Sequence, residues 1–194
     1  MNDFGAESYW ASSEIGNDYW IAVGGSVGQM YGYKSAGRYE VDDFTGYNAS
    51  TKSWTLKNGV PDASGVVGKV RPGSMKLADQ LTVDTNGDGI PDAGDGIIDT
   101  NDKTIIGNAN PDFTGGFGIN AHAYGFDLSA NFNFSVGNDI YNANKIEYTS
   151  SYQYYYRNML DIMGEGKRWT NLDANGNLVN DPAQLAALNA NTTM

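Results

Sequence analysis

The stretch FTGGFGINAHAYGFDLSANFNFSV, residues 113–136, is the most regularly patterned part of this 194-residue chain. From Phe126 onward, apolar side chains occupy the even positions and Asp, Ser and Asn occupy the odd ones. The run before Tyr124 alternates in the opposite phase. Because successive side chains of a strand point to opposite faces, the pattern predicts two β-strands that turn at Tyr124-Gly125.

The hairpin fits two environments. Each run is about ten residues long, the length of a tilted strand that crosses a membrane as part of a barrel. A half-buried hairpin in a soluble sandwich would alternate in the same way. The polar side carries Asn and Ser rather than Lys and Glu, which favours a hydrated barrel lumen, but the pattern by itself leaves both environments open.

The composition indicates mainly β structure with many turns. The chain has 25 Gly, 13 Tyr and no Cys, and residues 1–60 contain short apolar runs separated by glycines. Its net charge of −11 argues against nucleic acid and anionic lipid as partners, since both require clustered Lys and Arg. The same charge suits metal cations or neutral, hydroxyl-rich ligands.

A second motif, DTNGDGIPDAGDGIIDTND, places six aspartates within residues 84–102. Calcium takes six to eight oxygen ligands, and the loop pattern D-x-[DN]-x-[DN]-G fits the segment that starts at Asp84. A second frame starts later and lacks carboxylates at its first and third positions, so the spacing fits one complete loop and a half loop. The predicted metal ligands, with Ile90 acting through its carbonyl group, are Asp84, Asn86, Asp88, Ile90, Asp92, Asp95, Asp99 and Asp102.

Residues 150–163 change to helical spacing. Tyr and Met residues recur there at i, i+3 and i+4, with Ser150 or Ser151 as N-cap and Gly164 just past the end. The spacing predicts a short amphipathic helix whose Tyr/Met face packs against its own protein.

Motifs for catalysis are few. His122 is the single histidine and there is no cysteine, so the chain alone cannot build a multi-histidine zinc site. The sequence shows no nucleophile elbow, P-loop or dinucleotide fingerprint, and no pair of acids stands out for glycoside hydrolysis. We therefore expect that the chain is not an enzyme.

Several stretches together resemble the SusC/RagA-type TonB-dependent transporters of the Bacteroidetes outer membrane. These are GNDYWIAVGGSVGQMYGYKSAGRYEVDDF (16–44), PGSMKLAD (72–79), NGDGIPDAGDGIIDTNDKTIIGNANPDFTGGF (86–117), YGFDLSANFNFSVGNDIYNANK (124–145) and GKRWT (166–170). In this chain IPDAGDG looks like an insertion into the family's shorter acidic motif, which leaves the number of metal ions, one or two, open.

The resemblance implies the later part of an outer-membrane β-barrel. Residues 1–112 would hold barrel strands and an extracellular loop with the acidic motif, 113–136 a barrel hairpin with lipid-facing Phe, Leu and Val, and 137–194 an extracellular loop with the helix. The fold class is thus mainly β: a partial antiparallel transmembrane barrel with long extracellular loops, one short helix and a calcium-type loop.

The resemblance also implies function and partners. The family imports glycan oligosaccharides, or alternatively peptides, together with a SusD-like surface lipoprotein, and it couples to TonB through a segment outside this sequence. On side-chain chemistry alone, Tyr31, Tyr33 and Trp54 are candidates for stacking on a sugar. The alternative is a self-contained, secreted calcium-binding β module with a carbohydrate-binding or adhesive role.

Overall fold

The computed structural model describes residues 8–11, 18–150 and 158–192. Strands dominate these residues and helices are few and short, which confirms the prediction of a mainly β chain; the described strands do not close into a barrel. The strands are β1 (Ser8–Ala11), β2 (Tyr19–Ala22), β3 (Gln29–Tyr33), β4 (Ser35–Arg38), β5 (Phe44–Asn48), β6 (Ser53–Leu56), β7 (Met75–Leu77), β8 (Lys103–Asn108), β9 (Phe113–Ala123) and β10 (Phe126–Val136).

The chain divides into two compact units. The first comprises residues 1–32 and 105–142, and the second comprises residues 33–104 and 143–194. Most of a four-stranded sheet with the order β1-β2-β3-β8 belongs to the first unit, as does the antiparallel pair β9–β10. Tyr141 anchors the segment after β10 in this unit, because its hydroxyl donates a 3.0 Å hydrogen bond to Asp18.

The second unit holds the main core. Two antiparallel pairs, β4–β7 and β5–β6, surround a buried cluster. The central Tyr39 is fully buried, and its hydroxyl donates to the Pro61 carbonyl at 2.5 Å and accepts from the Ala63 amide at 3.2 Å. Burial therefore costs this phenol no hydrogen bond, although desolvation raises its pKa. The cluster consists of Tyr39, Phe44, Ala63, Leu77 and Ile98.

The described helices are α1 (Ser64–Val67), α2 (Ala143–Tyr148) and α3 (Pro182–Leu188). Helix α3 begins with Pro182 directly after Asp181, whose carboxylate accepts the Gln184 amide hydrogen as an N-cap. None of the helices in the described ranges is long and apolar enough to cross a membrane.

The helix predicted over residues 150–163 is only partly within the described residues, since 151–157 lie outside them. In the remainder the prediction is wrong: residues 158–160 are not helical and Asp161–Met163 form one 3-10 turn. The physical reason is a competing backbone contact. The Leu160 amide donates back to the Tyr148 carbonyl at 3.0 Å, and Leu160 itself has an extended ψ of 146°, which interrupts any helical path.

Candidate functional site

The β9–β10 hairpin follows the predicted register in full. Each strand has 11 residues, and the turn is Tyr124-Gly125, at φ 51° and 80°. Positive φ at both central residues is the type I′ geometry, whose twist matches that of the strands it joins. Tyr124 has a positive φ although it is not a glycine, and its side chain is fully exposed.

One face of the hairpin is apolar along its whole length. Phe117 stacks on Phe132 at a centroid distance of 4.8 Å, and Phe113 meets Phe134 edge-on at 6.1 Å. No described residue covers this face, and Phe132 in its middle is still 47% exposed. The cross-strand pairs on the face are Phe126–Ala123, Leu128–Ala121, Ala130–Ile119, Phe132–Phe117, Phe134–Gly115 and Val136–Phe113.

The opposite face is polar and has two cross-strand side-chain pairs. His122 Nδ1 pairs with Asp127 across the strands, and the Ser129 hydroxyl donates to Asn120 at 2.8 Å. His122 is therefore part of a cross-strand side-chain pair on the polar face.

Glycines in β9 make room for large residues of β10. A Cβ at Gly115 would lie 2.6 Å from the Phe134 ring, and one at Gly116 would lie 2.8 Å from the Asn133 side-chain oxygen. Glycine normally weakens a strand, but it is tolerated where a neighbouring group approaches closely. The Gly-rich start of the stretch is therefore compatible with a strand because of what lies opposite it.

The length of the hairpin matches a bilayer. Ten steps of about 3.4 Å give a strand of about 34 Å, and a tilt of about 40° reduces this to a height of about 26 Å, close to the roughly 25 Å apolar band of outer-membrane barrels. An exposed apolar face of this length has the dimensions of a lipid contact.

The acidic loop begins with a carboxylate bound by glycine amides. Asp84 accepts hydrogen bonds from Gly87 at 2.6 Å and from Gly89 at 2.7 Å, and both glycines have positive φ. These amides, that of Gly89 first, hold the pKa of the exposed Asp84 below its ordinary value. The ends of the loop are joined by reciprocal backbone hydrogen bonds of 2.9 and 3.0 Å between Val83 and Ala93.

The other predicted ligands of the loop repeat the same local arrangement. The side-chain oxygens of Asn86, Asp88, Asp95 and Asp99 each accept the amide hydrogen two residues ahead, at 2.7–2.9 Å. Ile90 donates such an amide to Asp88, and its side chain is exposed.

Asp92 closes the loop from the other side. It accepts from both the amide and the hydroxyl of Thr85, at 2.9 and 2.7 Å, and these two hydrogen bonds lower its pKa.

Asp102 differs from the other aspartates because it is buried, with 1% exposure. Its two oxygens accept the amides of Gln80 at 2.8 Å and Asp99 at 2.7 Å. The structure thus shows Asp102 tying the end of the acidic loop to the segment that follows β7. Alternating spacing in the sequence suggested a metal ligand but gave no sign of this burial.

Asp79, which the sequence reasoning missed, reaches the acidic loop from outside it. One carboxylate oxygen accepts the Gly96 amide at 2.8 Å, and a Cβ at Gly94 would overlap the carboxylate. Its other oxygen, Oδ1, is buried without a hydrogen-bond partner, and within the described residues only the Thr82 hydroxyl shares that condition. The indication in the sequence is that Gly94 and Gly96 lie within the acidic repeat, because residues without a side chain leave room for a carboxylate to approach the backbone.

The described residues bring no three acidic or histidine side chains to a single point. The oxygens of the loop are instead distributed along it, most of them bound to nearby amides. The donor set is entirely oxygen and suits a hard cation, and the two partnerless buried oxygens of Asp79 and Thr82 flank the same loop.

The three aromatic candidates each have a packing partner of their own. Tyr31 stacks on Trp20 at 4.8 Å in the first unit. Tyr33 lies under the Lys103 ammonium at 5.4 Å, and Trp54 packs edge-on against Phe44 at 5.5 Å, both in the second unit. All three are half-buried, and all three have packing partners within the protein.

Two curated proteins of Formosa agariphila are similar to this chain. TonB-dependent receptor P39 is 35% identical over 140 residues, which is 63% of this chain and 12% of that receptor. TonB-dependent receptor P3 is 31% identical over 127 residues, which is 66% of this chain and 10% of that receptor. The chain thus spans about a tenth of the length of these relatives.

No family model matches the chain, and no solved structure matches it. The two receptors bear out the TonB-dependent part of the resemblance that the motifs predicted. Over the part that aligns, the chain is similar to TonB-dependent receptors.

Proposed function

We propose that this chain is part of an outer-membrane nutrient transporter of the SusC/RagA type. The β9–β10 hairpin carries the proposal, because it has a continuous exposed apolar face as long as the hydrocarbon band and an opposite face of polar side chains. In a barrel, lipid would cover the first face and the hydrated lumen would contact the second.

The proposed transporter imports oligosaccharides, or alternatively peptides, with energy delivered through TonB, and it works with a SusD-like lipoprotein at the cell surface. The similarity to two TonB-dependent receptors supports the transport class. The motif resemblance supports the SusC/RagA subtype and the lipoprotein partner.

The test of this function is cellular. An antibody against residues 84–103 is used on fractionated source cells, and purified membranes are run on gels with and without boiling. We expect a heat-modifiable band in the outer membrane, and loss of growth on a specific oligosaccharide when the gene or tonB is deleted. A soluble secreted band at the size of this chain would refute the transporter and favour the calcium-binding β module.

We also propose that the acidic loop binds Ca²⁺ as a structural clip. The complete frame would consist of Asp84, Asn86, Asp88, the Ile90 carbonyl, Asp92 and Asp95. The half loop would use Asp99 and Asp102 and share Asp92 or Asp95 with the first frame. Support comes from the ligand spacing, the all-oxygen donors and the partnerless oxygens of Asp79 and Thr82. The ion would neutralise mutual repulsion among the carboxylates and fix a loop that buries little apolar surface.

The clip is tested by calorimetric titration of Ca²⁺ and by melting with and without chelator. Chelation should lower the melting temperature of the wild type and leave Asp84→Ala/Asp88→Ala unaffected. Asp173→Ala is a matched control, since Asp173 also accepts turn amides but lies outside the acidic loop. Identical melting of wild type and double variant, with and without chelator, would eliminate the clip.

A further inference from the structure

A basic cleft lies in the second unit, in a chain that is otherwise strongly acidic. Its volume is about 490 Å³, within the range of roughly 300–1,000 Å³ that small-molecule sites have. The β5–β6 hairpin, the segment after α1 and residues 171–180 form its walls. The lining residues are Tyr47, Lys52, Ser53, Trp54, Val67, Lys69, Val70, Arg71, Ser74, Asn171, Leu178 and Asn180.

The charge of the lining is opposite to that of the chain. Lys52, Lys69 and Arg71 line the cleft, and no Asp or Glu does, although the chain has 23 acidic residues and 12 basic ones. An adjoining cavity of about 440 Å³ shares Arg71 with the cleft, adds Arg168 and is likewise without a carboxylate. Four cations thus line two adjoining spaces.

The cations of the cleft have no charged partner among the described residues. Neither Lys52, Lys69 nor Arg71 forms an ion pair there. Other basic side chains of the same unit do pair: Lys76 contacts Asp43 at 2.9 Å. Unpaired cations facing one concave surface create a positive potential that attracts anions.

The backbone holds two of these cations in defined places. Lys52 ends the β5–β6 turn at φ 52°, a left-handed conformation that is costly for a residue with a side chain. Arg71 lies in a turn closed by two bonds to Ser74: its amide donates to the Ser74 hydroxyl at 3.2 Å, and its carbonyl accepts the Ser74 amide at 2.9 Å. The basic groups are therefore presented by fixed turns.

One wall of the cleft is aromatic. The Trp54 ring is held by Phe44 at 5.5 Å and Tyr47 at 5.7 Å, and both Trp54 and Tyr47 line the cleft. Hydroxyl and amide groups of Ser53 and Asn180 complete the lining. An aromatic wall suits the apolar face of a sugar ring, hydroxyl and amide groups suit its hydroxyls, and guanidinium or ammonium groups suit its acidic substituents.

From this arrangement we infer that the cleft binds an acidic oligosaccharide, one that carries carboxylate or sulfate groups. The inference rests on the proposed function and narrows its substrate class. Among the aromatic residues that the sequence singled out, it gives the binding role to Trp54.

The test is calorimetric binding to the full-length natural protein in detergent. The probes are tetragalacturonate, a sulfated galactan tetrasaccharide, uncharged galactotetraose and tetraglutamate. We expect one or both acidic saccharides to bind about tenfold or more tightly than galactotetraose, and the preference to shrink as NaCl rises. Which acidic saccharide binds better distinguishes carboxylate from sulfate.

Substitutions of the basic residues test whether the saccharide binds in the cleft. Lys69→Gln/Arg71→Gln should weaken the acidic saccharide about tenfold or more while leaving galactotetraose unchanged. Lys57→Gln removes a similarly exposed charge that does not line the cleft and should change nothing. Unchanged melting temperatures show that the variants fold.

Three results would overturn the inference: equal affinity for charged and uncharged saccharides, unchanged affinity in the double variant, or equal binding of tetraglutamate. None of them would affect the proposed transport function, which depends on outer-membrane location and TonB-dependent uptake. Conversely, a soluble secreted protein that binds acidic saccharides selectively would refute the transport function and support the inference about the cleft.

Discussion

A charge placed on the apolar face of the hairpin tests its environment directly. Phe132 lies one residue from the middle of β10 and stacks on Phe117 at 4.8 Å. A cation on the lipid face near the bilayer midplane costs about 2–4 kcal/mol, and loss of an aromatic pair costs a further 0.5–1.5 kcal/mol, roughly. We therefore expect Phe132→Lys to destabilise the folded barrel by about 3–5 kcal/mol.

The assay is urea unfolding of the full-length natural protein in lipid vesicles, followed by heat modifiability on gels. Asn131→Lys, its neighbour on the polar face, should cost less than about 1 kcal/mol because a lumen-facing charge stays hydrated. Phe126→Lys, at the turn, should also cost little because it lies near the interface. The membrane interpretation is refuted if Phe126→Lys costs as much as Phe132→Lys, or if Asn131→Lys costs as much as Phe132→Lys.

Three further predictions concern the second unit. Gly73→Ala should lower the free energy of unfolding by about 2–5 kcal/mol, because Gly73 has φ +87° and a Cβ would overlap the Trp169 ring. The control Gly59→Ala, at φ +82° with open space around the Cβ, should cost only the backbone strain of a positive φ. Asp102→Asn should cost about 1–3 kcal/mol because one of two partly buried amide donors loses its acceptor; an unchanged urea midpoint would contradict this. In an NMR titration, the pKa of the Asp84 carboxyl should lie below 3.8. Because this pKa is lowered in the folded state, the carboxylate stabilises the loop at higher pH, and the contribution is lost as the pH falls through the folded pKa. A pKa at or above 3.8 would show that the glycine amides do not bind the carboxylate.

The hairpin was predictable because its determinants are local. Alternation assigns each residue to a face, and Tyr124-Gly125 is short enough to fix the register of all eleven pairs. The helix over residues 150–163 was predicted from spacing just as regular, yet its described end is extended at Leu160. The difference is that helical spacing is a weak signal once a backbone contact from a distant residue, here Tyr148, competes for the same amide.

In the acidic loop, too, the sequence predicts the local contacts but not the tertiary ones. The turns around Asp84 follow from Gly and Asp spacing, because each carboxylate bonds an amide only a few residues away. Asp79 and the burial of Asp102 could not be anticipated, since both depend on how the loop packs against the segment after β7.

Sequence by itself determined the class of the protein, the apolar and polar faces of its hairpin and the positions of its acidic turns, because these depend on residue order over a few positions. Tertiary structure alone decided which cations share a surface. Lys52, Lys69 and Arg71 come from different turns, and Asn171 reaches the same cleft from a hundred residues further along the chain. No local sequence pattern predicts that these residues lie close together, because their proximity results from packing around the core that contains Tyr39 and Phe44.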